Sequence, residues 1–201
     1  MRKFIILLLF VSISSTVIAQ SGTPVVINPV AGINFSTLSD PPSGFTSKGS
    51  LGWQFGGNLR LGGKIFLQPG LQLAQFGSEL SRDDINPFNT DTFKTTLTML
   101  RIPLLAGVQF LDTQTKDAVN WNMHAGFAIE MVLGTTGLLT SDDINTSLFS
   151  AVIGAGVDIY SVTLDVDYEL GLSKFYKDSG RFNSNTKNNV LLISIGWKTI
   201  L

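Results

Sequence analysis

The feature that most constrains this chain is a two-residue alternation that recurs along most of its length. Its cleanest instance is VTLDVDYELGLS, residues 162–173. Val162, Leu164, Val166, Tyr168, Leu170 and Leu172 alternate with Thr163, Asp165, Asp167, Glu169, Gly171 and Ser173. Successive side chains of an extended strand point to opposite faces, so this stretch has one oily face and one polar face. Seven further stretches read the same way: 25–35, 51–61, 64–76, 97–110, 119–133, 148–160 and 189–200. No amphipathic helix is legible that could cover a sheet. A soluble barrel would turn the oily faces inward. A membrane barrel would turn them to lipid and enclose the carboxylates.

Composition decides between the two. The chain opens MRKFIILLLFVSISSTVIAQ: Arg2 and Lys3, an apolar core from Phe4 to Val11, then Val17-Ile18-Ala19. This is the pattern of a secretory signal peptide, residues 1–19, cleaved between Ala19 and Gln20. Residues 20–201 are then a single barrel domain. Charged residues make up 14% of the chain, against roughly 25% in an average soluble domain. No apolar run after the signal reaches the ~18 residues of a spanning helix. An exported, oily chain with little charge and no spanning helix points to a transmembrane barrel. Without the signal, 12 basic residues face 15 acidic ones, which gives no basic patch for nucleic acid. There is no cysteine, which excludes a lipoprotein anchor, disulfides, a zinc–thiolate site and a cysteine nucleophile.

The connections alternate in length. Segments 36–50, 77–96, 134–147 and 174–188 are long and polar, whereas 62–63, 111–118 and 161 are short. The expected fold is therefore all-β: an eight-stranded antiparallel up-and-down transmembrane β-barrel with long extracellular loops and short periplasmic turns. The expected setting is the outer membrane, with the barrel a monomer surrounded by lipid.

The enclosed face is rich in small and amide side chains. Gly32, Gly52, Gly56, Gly70, Gly107, Gly126, Gly154, Gly156 and Gly196 fall on it, with Gln54, Asn58, Gln68, Gln72 and Gln109. Arg60, Lys64, Arg101 and Lys198 share it with Glu130, Asp158, Asp165, Asp167 and Glu169. Eight strands leave an interior just wide enough for side chains, and buried charges are costly unless paired. A salt-bridged plug is expected, with Arg60 and Arg101 neutralising the carboxylates at 165–169. Trp53, Phe35, Phe110, Trp121, Phe149 and Trp197 lie near strand ends and suit interfacial girdles, whereas Tyr160 has inward parity. Pro29, Pro69 and Pro103 cannot donate to a ladder; the physical escape is a bulge or a ladder gap near a rim, and they read as bulge sites.

No catalytic site is expected. His124 is the only histidine, and its parity makes it a hydrogen-bonded lumen residue in the periplasmic half. No phosphate-binding loop, dinucleotide fingerprint or nucleophile elbow occurs, so no cofactor is implied. The tetrapeptide DDIN appears at Asp83–Asn86 and Asp142–Asn145; such loops can coordinate calcium, but Asp and Asn are also ordinary turn formers, and no metal is assigned.

The segments GINFS (32–36), QPGLQLAQFG (68–77), LRIPLLAGVQF (100–110), LGLSKFY (170–176) and SIGWK (194–198), in their order and spacing, resemble the PorT-like outer-membrane β-barrel family of Bacteroidota. The resemblance spans the whole chain after the signal. It implies an eight-stranded outer-membrane barrel, and it links the chain to protein secretion through the family's founding member. The chain departs from many barrels in ending on Leu201 rather than an aromatic residue. The expected function is a non-enzymatic scaffold or partner-binding element for secretion or envelope assembly, with envelope or secretion-machinery proteins as partners. The alternatives are a narrow, porin-like small-solute channel and a soluble lipocalin-like binder.

Overall fold

A computed structural model describes residues 24–39, 45–82, 92–111, 119–136, 144–177 and 185–201. The expected signal segment and the first DDIN loop lie outside them. The strands are β1 (Val25–Ser39), β2 (Phe45–Gly62), β3 (Ile65–Arg82), β4 (Thr92–Gln109), β5 (Val119–Thr136), β6 (Ser147–Ile159), β7 (Val162–Gly171) and β8 (Lys187–Trp197). A two-residue β9 (Thr199–Ile200) continues the line of β8. Each strand pairs antiparallel with the next, and β8 pairs with β1 from Val30↔Gly196 to Ser39↔Lys187. The sheet is thus a closed eight-stranded barrel. Closure removes sheet edges, and backbone hydrogen bonding is completed between strands, as a lipid environment requires.

The ends differ. Gly63-Lys64 joins β2 to β3 directly after Gly62, and Tyr160-Ser161 joins β6 to β7. Gly62 takes φ +118° there, a conformation side chains rarely adopt. Leu201 N–H donates to the Val25 carbonyl at this same end, at 2.9 Å. Strands lengthen toward the other end: β2, β3, β4 and β5 each run 18 residues, so parts of 36–50, 77–96 and 134–136 that read as polar loop are ladder.

Three local expectations are corrected. The prolines are not bulges. Pro29 stays in register with Gly57, Pro69 with Leu104 and Pro103 with Ala128. Each instead sits at a gap in the ladder on its other side, where the register resumes unchanged, for Pro29 in the pairing of β1 with β9. An antiparallel residue donates its N–H to one neighbour only, so a proline interrupts one ladder and leaves the other whole. The register shifts lie elsewhere, between Gly49 and Trp53 and between Thr98 and Met99. Lys64 is exposed in its turn, not in the lumen. Tyr160 occupies the turn with φ 54° and points outward, where it joins Phe110, Trp121 and Trp197 as exposed aromatics at the short-turn end.

Orientation of the faces is unambiguous along β7. Leu164, Val166, Tyr168 and Leu170 are exposed, whereas Thr163, Asp165, Asp167 and Glu169 are buried. The same inversion runs round the barrel, with Ile33, Leu51, Phe55, Leu71, Met123, Phe127, Ile153 and Ile195 outside. A soluble binder with its oily faces inward is therefore set aside.

Candidate functional site in the barrel lumen

The lumen is built in layers set by inward parity. Nearest the short-turn end, Arg60 of β2, Asp158 of β6 and Lys198 beyond β8 converge. Arg60 Nη1 lies 2.9 Å from Asp158 Oδ2 and Lys198 Nζ lies 3.2 Å from the same oxygen. Gln68 accepts from Arg60 Nε at 2.8 Å, and Gln109 Nε2 donates to Asp158 at 3.4 Å. The Arg60 guanidinium also stacks over Phe66, 4.5 Å from the ring centroid, a cation–π contact favoured where water is excluded.

The next layer holds His124 of β5 with Asp165 and Asp167 of β7. His124 Nε2 is 2.6 Å from Asp167 Oδ1, and Nδ1 is 3.0 Å from Asn122 Oδ1. The carboxylates fit because β6 carries Gly154 and Gly156 beside them. A Cβ on Gly154 would collide with Asp167 and the His124 ring, and one on Gly156 with Asp165.

Above this, Arg101 of β4 reaches across the lumen to Glu169 of β7. Its Nε donates to Glu169 Oε1 at 2.7 Å, Nη2 contacts the same oxygen, and Nη1 donates to Gln72 Oε1 at 2.7 Å. Gln72 passes the chain on to Asn58 at 2.9 Å. Glu130, the ladder neighbour of Arg101, accepts from Ser150 Oγ at 3.0 Å. The Arg101 and Glu169 side chains are 1% and 0% exposed, a depth at which a guanidinium and a carboxylate persist only as a bonded pair.

The layer toward the long-loop end is apolar. Leu38, Phe76, Leu97, Met99, Leu148, Val190 and Leu192 project inward and pack with Ile144, Phe175 and Tyr176. The last three come from the connections that follow β5 and β7. Ile144 and Tyr176 form a β-bridge, Asn145 Nδ2 donates to the Lys174 and Tyr176 carbonyls, and Phe175 N–H donates to the Thr186 carbonyl. These contacts draw two loop segments into the barrel mouth.

Every lumen charge expected from parity is therefore inside except Lys64, but the pairing differs from expectation. Arg101 meets Glu169, whereas Arg60 meets Asp158 of β6 and not the β7 carboxylates. Asp167 is partnered by His124. Asp165 makes no ion pair among the described residues. The apolar layer was not anticipated, although the signal was present: at Leu97-Thr98-Met99-Leu100 and Val190-Leu191-Leu192-Ile193 the alternation gives way to apolar residues on both faces. In the second DDIN, Asp142 and Asp143 lie outside the described residues.

The comparisons with known proteins agree with this architecture. No curated protein matches the chain. Among solved structures, OprG, an outer membrane protein of Pseudomonas aeruginosa, superposes with a TM-score of 0.51 at 12% identity, covering 89% of this chain and 96% of that one. Neisserial surface protein A gives 0.48 at 13% identity, over 86% and 97%. At these identities the likeness to OprG shows a shared fold. The family described as outer membrane protein beta-barrel domain matches residues 18–177. The chain belongs to that family, a transmembrane β-barrel of the outer membrane.

Proposed function

We propose that this barrel is a non-enzymatic scaffold or partner-binding element of the outer membrane that works through its two rims and not by passing solutes. The observation that carries the reading is a lumen closed off by its own side chains. Two buried ion-pair layers are capped at the long-loop end by an apolar cluster whose members are at most 5% exposed. Water and ions crossing such a barrel would have to separate those pairs and part the apolar layer, and both are energetically expensive. His124 supports the non-enzymatic reading, because both its ring nitrogens are engaged inside the lumen. The sequence resemblance to the PorT-like family favours partners in protein secretion or envelope assembly.

Planar-bilayer recording on the purified, refolded barrel tests the reading. The expected result is no discrete single-channel current. Reproducible currents from the unaltered protein would overturn it in favour of the narrow channel. Site-specific photo-crosslinking from Ser173 at one rim and Lys64 at the other would then identify which end binds partners.

A further inference from the structure

We propose that the lumen between the Arg60–Asp158 pair and the Arg101–Glu169 pair is a hydrated chamber, in which ordered water completes the hydrogen bonding of Asp165, Asp158 and Asn122. Two independent observations lead there. The first is a set of polar atoms with no protein partner: Asp165 Oδ1, Asp158 Oδ1, Gln109 Oε1, Asn122 Nδ2 and Arg60 Nη2. Their residues are 0–4% exposed, and leaving such groups unsatisfied is strongly unfavourable.

These atoms share one region of the lumen. Gln109 and Arg60 both contact the other oxygen of Asp158. Gln109 is the ladder neighbour of Asn122, Asn122 of Gly156, and Gly156 of Asp165. A Cβ built on Gly156 would meet both Asp165 Oδ1 and Asn122 Nδ2. Acceptors and donors are interleaved. A bare cation would satisfy the carboxylates but not Arg60 or Asn122, and an anion would do the reverse. Water both donates and accepts, and it satisfies all five.

The second observation is room. Asp158, close to the short-turn rim, has a side chain 0% exposed, yet Asp167, deeper in the lumen, keeps 12%. Ser194, opposite Asp165 in the ladder, keeps 8%. Accessibility that reappears in mid-lumen marks space for a water-sized probe. Above this region Met99 and Leu192 are fully buried, although Asn34 Oδ1 and Glu169 Oε2 there also lack a partner, and exposure returns at the long-loop mouth, where Asn188 keeps 9%. The proposed water therefore lies between the two ion pairs, and the barrier to permeation is the apolar layer of Phe76, Leu97, Met99, Leu148 and Leu192.

Solid-state NMR on the full mature chain in lipid bilayers tests this by timing magnetisation transfer from water protons. The side chains of Asp165 and Asn122 should receive it several times faster than Met99 and Leu192. Transfer to Asp165 and Asn122 as slow as to Met99 would show a dry lumen and overturn the proposal. Fast transfer to all four would show that the apolar layer does not close it, and would overturn it equally. Ser194→Leu should slow transfer to Asp165 toward the Met99 rate while the heat-modifiable band persists; unchanged transfer in that variant would place the water elsewhere.

Discussion

Arg101→Met is the most informative single change. Methionine keeps much of the aliphatic length of arginine and removes the charge and all its donors. In the native barrel three of those donors are used, two on Glu169 and one on Gln72. The substitution leaves Glu169, with a side chain 0% exposed, as a buried carboxylate without its cation. Glu130, the ladder neighbour of Arg101, loses the same compensation. Removing one partner of a buried ion pair costs about 3–5 kcal/mol, because the charge left behind cannot be solvated. Replacing both partners with apolar residues of similar volume is often neutral or better. Arg101→Met/Glu169→Met should therefore recover most of the stability lost in Arg101→Met. The assay is a urea titration of the barrel refolded in lipid vesicles, with the unboiled fast-migrating band reporting the folded fraction. A change within about 0.5 kcal/mol for Arg101→Met, the usual range for a surface substitution, would refute the pairing. So would a double variant whose loss equals the sum of the single losses, since coupled sites must deviate from additivity.

Gly154→Ala should destabilise the barrel by about 1–3 kcal/mol through overpacking against Asp167 and His124. Gly134→Ala, where nothing lies within 4 Å of the added carbon, should leave the urea midpoint unchanged. Phe175→Ala should cost about 3–5 kcal/mol by opening a cavity in the mouth cluster, measured in the same titration; a smaller loss than that of Phe127→Ala on the lipid face would contradict its place in a packed layer. Val166→Arg, on the exposed face midway along β7, should cost about 2–4 kcal/mol in lipid, and moving the arginine to Ile159 at the strand end should reduce this to about 0–1 kcal/mol. Equal effects at the two depths would argue against that face meeting the hydrocarbon.

The balance between what was legible in the sequence and what was not follows one physical line. Parity is a local property of extended backbone, fixed by the two residues flanking each position. For that reason alternation alone located the eight strands, though not their full length, together with the oily exterior at Leu164, Val166 and Leu170 and the enclosure of Arg60, Arg101, Glu130, Asp158, Asp165, Asp167 and Glu169. Low charge, the expected export signal and the lack of any legible covering helix then pointed the oily face toward lipid. Lys64 escaped the rule because a turn suspends alternation. Which cation meets which carboxylate was another matter. Arg101 and Glu169 are 68 residues apart and on strands that do not adjoin; their meeting depends on the stagger accumulated round the closed sheet. The same is true of Arg60, whose ion pair stagger assigns to Asp158. The mouth layer needed tertiary structure for a further reason. Ile144, Phe175 and Tyr176 stand in connections without periodicity, and only the apolar wall made by five other strands gives them somewhere to bury. Long-range geometry, not local pattern, decided how the lumen is closed.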